Sequence, residues 1–293
     1  MLKSRFHQPI ARYLGMKSPL PLPLLSMRGW RVNLFALGMA LAIGSSFQVQ
    51  RVNADSPETA PADLKNVLTQ IDTAANSRNL QGVISFYSPN FTHSDGLTPK
   101  TLQQSLSQLW QRYPNLKYQT ELVSWQAEGN AIVAETLTRL TGTQKVGDRT
   151  FKLTSELRAQ QRLEGQKIVR QTILGERSEI TSGEQPPTLQ LTLPTQVKTG
   201  QDFAFDAIVQ EPLGEDLLLG AALEESIKPS GYLNPTTVDL EPLSAGGIFK
   251  LGRAPAKPDN RWISAVVVRH NGMTIVTQRL QVVDRNQPTK TTN

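Results

Sequence analysis

His93 and Asp95 are the residues of this sequence whose types and spacing point most directly to chemistry. His93 is the one histidine with a carboxylate two positions away, and a histidine oriented by an aspartate is a common general-base arrangement. Gly96 follows at once, and in a loop with a glycine the same spacing is typical of an Asx turn beside a surface histidine. The pattern therefore gives His93 and Asp95 as weak catalytic candidates, with a local turn as the alternative.

A further candidate base is Glu135, which alternates with Val133 and Leu137 along a predicted strand. A carboxylate base needs an apolar setting, and Glu135 is the best interior candidate for one. The neighbouring predicted strands favour a different interpretation, an exposed ladder of cross-strand ion pairs. The members of that ladder would be Glu121, Glu135, Glu156, Arg139, Arg158 and Arg170. Because no complete catalytic set can be assembled, we assign no catalytic residue and favour a protein that is not an enzyme.

Three aromatic residues, Tyr87, Tyr118 and Trp125, are candidates for the lining of a ligand pocket. An aromatic ring with one polar tip suits such a cavity. The alternative is that they belong to the ordinary core of a domain in which helices pack on a sheet. Trp110 lies on the apolar stripe of a predicted helix, and we expect it in the core.

Metal and cofactor sites have little support in the composition. The chain has three histidines and no cysteine, and no spacing brings two histidines, or a histidine and a carboxylate, into a transition-metal pattern. No glycine-rich phosphate loop opens a predicted helix. We therefore predict no metal and no cofactor.

Residues 1–54 have the composition of an export leader. They contain seven basic residues and no Asp or Glu, and the apolar run at 32–47 lies near their end. Val52 and Ala54 fit the −3 and −1 positions of a signal-peptidase site, so Asp55 would be the new N-terminus. This predicts an extracytoplasmic location, in the periplasm or an equivalent lumen. The alternative is that residues 32–47 remain as a membrane anchor.

The leader also accounts for the basic charge of the chain. The formal net charge is +6, from 31 basic and 25 acidic residues. Without the seven basic residues of the leader, 24 basic residues stand against 25 acidic ones, so the remainder is near neutral. A nucleic-acid surface needs a basic face on the folded domain, which excludes nucleic acid as a predicted partner. The proline-rich stretch before Met27 leaves Met1, Met16 and Met27 as alternative starts.

Residues 55–183 show helical spacing first and alternation afterwards. Apolar residues at steps of three and four predict helices near 62–76 and 99–113, with a short helix at 83–87 and a loop at 90–96 between them. From residue 116 the period changes to two, which predicts four long antiparallel strands. Such a sheet has one buried face, and the helices must cover it.

This order of elements, with the segment Phe-Tyr-Ser-Pro-Asn-Phe-Thr-His-Ser-Asp-Gly at 86–96, resembles the nuclear transport factor 2-like superfamily. Its relatives include SnoaL-like proteins and ketosteroid isomerases. The resemblance covers about residues 60–181 and implies an α+β cone, in which a bent antiparallel sheet wraps around a helix and encloses an apolar pocket. In the isomerases of this superfamily, carboxylates inside the cone abstract a proton next to a carbonyl.

Residues 188–285 predict about seven short strands, which is typical of an antiparallel sandwich. The Asn271-Gly272 pair between two alternating runs predicts a tight hairpin with positive φ at both turn positions. This part resembles an immunoglobulin-like domain without the cysteine pair. The proline-containing segment 184–187 is the predicted linker, and residues 286–293 form a predicted disordered tail.

Together these patterns, which resemble those of exported bacterial proteins, predict an exported binding or scaffold protein without enzymatic activity. Its partner would be a small apolar molecule or an envelope protein, and the resemblance allows a homodimer through the cone domain. We expect the protein to associate with a membrane only if the leader stays uncleaved, as in a membrane-anchored adaptor. The alternative function is a SnoaL-like isomerase, dehydratase or hydrolase, with Glu135 or Asp95 as the base and Tyr87 or Tyr118 as the hydrogen-bond donor.

Overall fold

The computed structural model describes residues 54–286, except for residues 215, 235 and 244–245. The predicted leader, apart from Ala54, and all but the first residue of the predicted tail lie outside the described residues. The chain from Ala54 onward forms one compact unit. Within its described part, no helix combines the length and the apolar character needed to cross a membrane.

The N-terminal half, residues 54–183, contains three helices and five strands. After a short 3-10 helix at Pro57–Thr59 come α1 (Ala62–Asn76), α2 (Leu80–Ile84), β1 (Tyr87–His93), α3 (Pro99–Arg112), β2 (Lys117–Glu128), β3 (Ala131–Val146), β4 (Arg149–Glu164) and β5 (Lys167–Gly183).

The long helices form where the apolar spacing predicts them. In α1, Leu64, Val67 and Leu68 are buried and pack against Ala134 of the sheet, as an amphipathic helix must to stabilise its apolar face. α3 begins at a proline after Thr98, whose hydroxyl accepts a hydrogen bond from the Thr101 backbone N–H at 3.2 Å. This N-cap satisfies one of the donors that a helix start leaves unpaired.

Strands β2 to β5 form the antiparallel meander that the alternation predicts, in the order β5-β4-β3-β2. β2 is the edge strand of this sheet, and α1 covers its exposed backbone. The Asn76 amide bonds both the N–H and the C=O of Tyr118 at 2.9 Å, and Asp72 accepts from the Thr120 N–H at 2.6 Å. Further along, Asp55 forms a single antiparallel bridge with Trp125. Covering an edge in this way prevents it from pairing with another chain.

The prediction for residues 83–96 is wrong in part. The short helix ends at Ile84, and the chain from Tyr87 to His93 is a strand that runs parallel to β5. The pairing shifts register between Tyr87 and Thr92. Pro89 lies in this interval, and since proline has no N–H it cannot continue a regular ladder. Sequence periodicity missed β1 because so irregular a strand has no regular alternation.

The C-terminal half, residues 184–286, contains eight strands within its described residues. These are β6 (Leu189–Thr192), β7 (Gln196–Lys198), β8 (Asp202–Val209), β9 (Leu219–Ser226), β10 (Glu241–Pro242), β11 (Gly247–Arg253), β12 (Asp259–Arg269) and β13 (Gly272–Val283), with the short helix α4 (Pro229–Leu233) after β9.

Two sheets enclose the core of the C-terminal half. One is three-stranded, in the order β11-β8-β6, and the other contains β9, β12 and β13. Alternate residues of β8, such as Phe203 and Phe205, face Val267, Val276 and Leu280 of the second sheet. The two layers bury their apolar faces against each other, which is what makes a pair of antiparallel sheets stable.

The two halves share one sheet. β13 pairs with β5 from Gly272 opposite Gly183 to Gln278 opposite Arg177, so the ten-stranded sheet runs from β10 in one half to β2 in the other. The segment predicted as a linker is bonded to this sheet. The backbone N–H of Glu184 donates to the Asn271 carbonyl at 3.0 Å.

The hairpin between β12 and β13 forms as predicted, but its turn differs from the prediction. Neither Asn271 nor Gly272 has a positive φ. Gly272 is required for a different reason, because a Cβ there would lie 2.6 Å from the backbone of Pro186. Gly183 has φ +101° and an equally close neighbour, the Asn271 carbonyl oxygen. The glycines therefore allow close backbone approach where the halves meet.

Candidate functional site

Asp95 lies between the two halves of the molecule, and its side chain has no exposed surface. The two Nη atoms of Arg279 donate to its two carboxylate oxygens at 2.9 and 2.8 Å. The hydroxyl of Tyr232 donates to Oδ2 at 2.6 Å. A carboxylate held by a bidentate guanidinium and a short hydroxyl bond belongs to the strongest class of protein hydrogen bonds.

The same arginine reaches a second carboxylate. Nη2 of Arg279 donates to Oε2 of Glu176 at 3.0 Å, and the indole N–H of Trp262 donates to that oxygen at the same distance. The rings of Tyr232 and Trp262 meet edge to face at 4.9 Å between centroids. We call Asp95, Glu176, Tyr232, Trp262 and Arg279 the junction cluster. Asp95 and Glu176 come from the N-terminal half, and the other three come from the C-terminal half.

The electrostatics of the cluster keep Asp95 ionised. Burial alone would raise the pKa of Asp95, but the hydrogen bonds and charge of Arg279 outweigh it and hold the pKa below its usual range. Burial opposes the charge on Arg279, yet its bonds to Asp95 and the charge of Glu176 raise its pKa. Burial, followed by the charges of Glu176 and Asp95, also raises the pKa of Tyr232. Asp95 is thus a structural anion, fully occupied by its partners.

His93 is close to Asp95, but the pair lacks the orientation of a general base. Its Nδ1 accepts a hydrogen bond from the Asp95 backbone N–H at 3.1 Å and lies 3.9 Å from Oδ2. A carboxylate that orients a base would instead accept a hydrogen bond from a ring N–H. The imidazole side chain is 4% exposed. Burial lowers the pKa of His93, the charge of Asp95 opposes this, and the charge of Arg279 adds to the lowering.

Glu135 lies on the sheet face opposite to the helices. Its neighbour Ala134 packs into the helix-covered core, so Glu135 points the other way. It forms an ion pair with Arg158. The same face carries the pairs Arg139–Glu121, Arg139–Glu156, Arg162–Glu128 and Arg162–Glu164. We call these pairs the charge ladder. Of the six residues that the sequence suggested for it, five are in these pairs; no ion pair of Arg170 is observed among the described residues.

The structure brings two of the three predicted ligand-binding aromatics together. Tyr87 and Tyr118 both contact the cluster of apolar residues that includes Trp110. Burial, followed by the charge of the other phenol, raises the pKa of Tyr87 to about 12. Burial also raises the pKa of Tyr118 to about 12, while the bond from the Trp110 indole N–H at 2.8 Å lowers it.

Trp125 packs against a core cluster that Tyr87 also contacts, but not against the one that Tyr118 contacts. Its indole N–H donates to the Ser56 carbonyl at 3.2 Å and to the Thr59 hydroxyl at 3.1 Å. The side chain therefore fixes the start of the described chain to the sheet. The polar tip of Trp125 is used by local structure, and the residue lines no pocket with Tyr87 and Tyr118 among the cavities described below.

Three surface cavities are prominent. A groove of about 630 Å³ lies between α1 and β2, lined by Lys65, Leu68, Thr69, Asp72, Thr73, Asn76, Ser77, Thr120 and Leu122. A cleft of about 500 Å³ lies between β11 and the β9–β10 edge. A smaller one of about 320 Å³ lies beside the start of α1. None of the three is lined by Tyr87, Tyr118, His93 or Asp95.

Two buried polar atoms in the N-terminal half have no hydrogen-bond partner among the described residues. They are the Thr136 hydroxyl and the Gln161 Oε1. Both residues share the face of Ala134, since Gln161 pairs with Ala134 and Thr136 is two positions further along β3. Both therefore lie on the face of the sheet that the helices cover. Groups of three or more metal-ligating side chains are absent from the described part of the chain.

Sequence patterns missed the residues that define the junction. In β13 the even-numbered residues, such as Val276 and Leu280, face the core. Alternation therefore predicts that the odd-numbered Arg279 faces solvent. Tyr232 lies in a five-residue helix, and Glu176 is one of many glutamates in alternating strands. No local signal distinguishes them, because their partners are 47 to 184 positions away.

Comparisons with known proteins assign no family to the whole chain. A family model described as a domain of unknown function (DUF8623) matches residues 184–283. None of the curated proteins matches the sequence.

Several solved structures are similar to part of the chain. Bd1075 from Bdellovibrio bacteriovorus has 17% identity and a TM-score of 0.28, over 38% of each chain. A SnoaL-like polyketide cyclase from Agrobacterium tumefaciens has 15% identity and a TM-score of 0.28, over 38% of this chain and 88% of that one. An LEH-like epoxide hydrolase from M. tuberculosis has 10% identity and a TM-score of 0.27, over 38% of this chain and 82% of that one. These likenesses include the SnoaL-like group named above, and they assign neither an activity nor a ligand.

Proposed function

We propose that this protein is an exported, non-enzymatic scaffold that binds a protein partner in the cell envelope or an equivalent lumen. In this proposal the N-terminal half is a nuclear transport factor 2-like cone and the C-terminal half an immunoglobulin-like sandwich. The observation that carries it is the state of Asp95. The one fully buried carboxylate among the candidates is held as an anion by Arg279 and Tyr232.

The other candidate groups are also engaged. Glu135 pairs with Arg158 on the charge ladder, and Nδ1 of His93 accepts from a backbone N–H. A general base must be free to reach a substrate proton with a lone pair. Side chains that already have partners within the fold support binding rather than turnover.

A protein partner is favoured over a small apolar molecule. Tyr87 and Tyr118 pack with Trp110 in the interior of the N-terminal half. The three prominent cavities are open surface clefts, and neither tyrosine lines any of them. Apolar ligands are bound in enclosed pockets that bury most of their surface. The surface of the C-terminal half, by contrast, exposes Phe249 by 53% and Leu251 by 88%.

Export in this proposal rests on the composition of residues 1–54. The first described residues add one consistent feature, because Asp55 pairs with Trp125 at the sheet edge while Ala54 is exposed. Cleavage after Ala54 would leave the fold intact up to its first strand contact. N-terminal sequencing of the protein from its native host tests this, with Asp55 as the expected first residue and an intact leader as the contradicting result.

Cross-linking in intact cells tests the partner. We expect cross-links to another envelope protein from a photoreactive residue placed at Leu251, and none from one placed at Arg139 on the charge ladder. A measurable turnover that is lost in Glu135→Gln or His93→Ala, but kept in the matched ladder variant Glu121→Gln, would contradict the proposal.

One observation favours the alternative, a SnoaL-like isomerase, dehydratase or hydrolase. The unpartnered Thr136 hydroxyl and Gln161 Oε1 lie on the helix-covered face of the sheet, where a ligand of the cone would bind. If the cone binds a substrate, Thr136→Val should weaken that binding while it leaves the fold unchanged. Thr138→Val, on the same face of β3 but bonded to Thr120, is the matched control.

A further inference from the structure

β11 is an edge strand with an open row of backbone groups. It is the last strand of the order β11-β8-β6. At the two ends of its ladder, the Val209 N–H donates to the Gly246 carbonyl at 2.9 Å and the Ala254 N–H donates to the Gln201 carbonyl at 2.8 Å. In an antiparallel ladder alternate residues bond the neighbouring strand. The even-numbered residues of β11 therefore bond β8.

The odd-numbered residues of β11 point their backbone groups away from β8. These residues are Gly247, Phe249, Leu251 and Arg253. No backbone partner for them is found within the described ranges. β2, the edge at the other end of the ten-stranded sheet, is covered by side chains of α1 and by Asp55. One edge of the molecule is thus closed and another is left open.

The side chains beside this open edge are apolar and exposed. Phe249 and Leu251 share the outer face of the three-stranded sheet and are 53% and 88% exposed. Next to them, the 500 Å³ cleft separates β11 from the β9–β10 edge, where Gly220, Ala221 and Ala222 leave room. Large exposed apolar side chains on a flat edge strand mark a site for pairing with another strand.

Charge disfavours a second copy of β11 in the antiparallel register that pairs the whole strand. β11 contains Lys250 and Arg253 and no carboxylate. Pairing Phe249 with Leu251 of a second β11 would place two Lys250 side chains directly opposite each other, which is destabilising. Arg253 is already near Asp202, at 3.8 Å, whereas Lys250 has no ion-pair partner among the described residues. A strand with carboxylates would complement this edge.

Two carboxylates line the same cleft, Asp239 and Glu241. They lie on the β10 side of the cleft, and neither forms an ion pair with Lys250 among the described residues. A residue directly opposite Lys250 in a paired strand is only about 4.5–5.5 Å away between Cβ atoms. The residue of a paired strand that lies opposite Lys250 would therefore be its nearest charged neighbour, and a carboxylate is favoured at that position.

We propose that β11 binds an extended, acidic segment of a partner protein, which adds as a fourth strand to the three-stranded sheet. This inference rests on the proposed function and names its partner class. The segment carries apolar residues on the face of Phe249 and Leu251, and a carboxylate opposite Lys250. The main-chain bonds supply affinity, and the alternating side chains supply specificity.

The test uses the exported chain from Asp55 and two synthetic strands. The first is an acetylated peptide Thr-Val-Glu-Val-Glu-Val-Thr, and the second has lysine in place of both glutamates. We expect the acidic peptide to bind in fluorescence polarisation and to protect the amides of Phe249 and Leu251 from hydrogen exchange. The lysine peptide is expected to bind more weakly.

Two variants probe the geometry. Leu251→Pro removes an outward N–H and leaves the bonds to β8, so it should weaken the acidic peptide about tenfold with an unchanged melting temperature. Lys250→Glu should reverse the preference between the two peptides, and this gain of binding cannot arise from unfolding. Leu217→Ser, at a leucine that is 87% exposed elsewhere in this half, is the control and should bind like the wild type.

Three results would overturn the inference: no binding of the acidic peptide, binding that Leu251→Pro leaves unchanged, or a concentration-dependent dimer that Leu251→Pro abolishes. Failure of the peptides together with cross-links from another surface would leave the proposed function standing. A turnover sensitive to Glu135→Gln would remove the proposed function, whatever the peptides do.

Discussion

Arginine and carboxylate side chains pair in two regions of this molecule, under opposite conditions. In the junction cluster, Arg279 and Asp95 have no exposed side-chain surface and are joined by two hydrogen bonds of 2.9 and 2.8 Å. On the charge ladder, Arg139 and Arg158 keep 41% and 47% of their side chains exposed while they pair with glutamates of neighbouring strands. Both regions pair guanidinium groups with carboxylates, and the surroundings of the pairs differ.

The difference shows what burial does to an ion pair. In water a pair competes with solvent, and exposed pairs are typically worth less than about 1 kcal/mol. In the interior both charges have lost their hydration, so each one depends on the other. The ladder can lose a member without consequence. The junction cannot, because a lone guanidinium or carboxylate would remain between the two halves.

The largest effect is therefore expected from Arg279→Leu. Removing this guanidinium leaves Asp95 buried and unpaired, which should lower the free energy of unfolding by about 3–5 kcal/mol. Urea unfolding monitored by tryptophan fluorescence measures it. The matched control is Arg158→Leu on the ladder.

A loss in Arg279→Leu no larger than in Arg158→Leu would show that burial is not the deciding factor. The double variant Asp95→Asn/Arg279→Leu sharpens the point. It should be more stable than Arg279→Leu alone, because it contains no unpaired Asp95 anion.

A smaller effect is expected from Tyr232→Phe. This change removes the 2.6 Å hydrogen bond to Asp95 and keeps the ring that packs on Trp262. Hydrogen bonds to charged groups contribute about 1.5–3 kcal/mol, so a loss near 2 kcal/mol is expected in the same urea experiment. An unchanged stability would mean that Arg279 alone satisfies Asp95.

The pH dependence of stability should reveal His93. Its pKa in the folded protein is below the ordinary value, so the unfolded chain binds a proton first as the pH falls below about 6.5. The free energy of unfolding should therefore decrease from pH 7 towards pH 5. His93→Gln retains an acceptor for the Asp95 N–H and should flatten this part of the profile. His270, which is 66% exposed and paired with Asp216, is the control site, and an equal flattening in His270→Gln would refute the assignment.

The smallest effect is expected from Glu135→Gln. The carboxylate belongs to a partly exposed pair with Arg158, and the amide can still accept a hydrogen bond. Thermal unfolding should therefore give a midpoint indistinguishable from the wild type. A marked loss would place Glu135 in an environment more like that of Asp95 and would end the contrast between the two regions.

Sequence periodicity predicted the regular elements well and the irregular ones poorly. α1, α3 and the four strands β2 to β5 appear where steps of three or four, and then of two, predict them. β1 was missed because Pro89 interrupts its pairing. The Asn271-Gly272 pair correctly marked a hairpin, but Gly272 is needed for close approach to Pro186 and not for a positive φ.

Residue type and spacing selected Asp95 as a candidate, but the sequence did not predict its partners. Asp95 was selected for its position near His93. In the structure it is a fully buried carboxylate that is bonded by Arg279. Its partners Arg279, Tyr232 and Glu176 gave no signal, because ordinary alternation assigns such polar residues to solvent-facing positions. A pairing between residues 184 positions apart cannot be derived from local spacing.

The sequence by itself determined the long helices, the meander strands and the near-neutral charge of residues 55–293, because these depend on composition and on periods of a few residues. Only the tertiary structure decided that β5 and β13 join the halves in one sheet, that Asp95 is fully buried and Glu135 partly exposed, and that β2 is covered while β11 is open. The physical reason is the same in each case. Burial and hydrogen-bond partners are properties of residues brought together from distant parts of the chain.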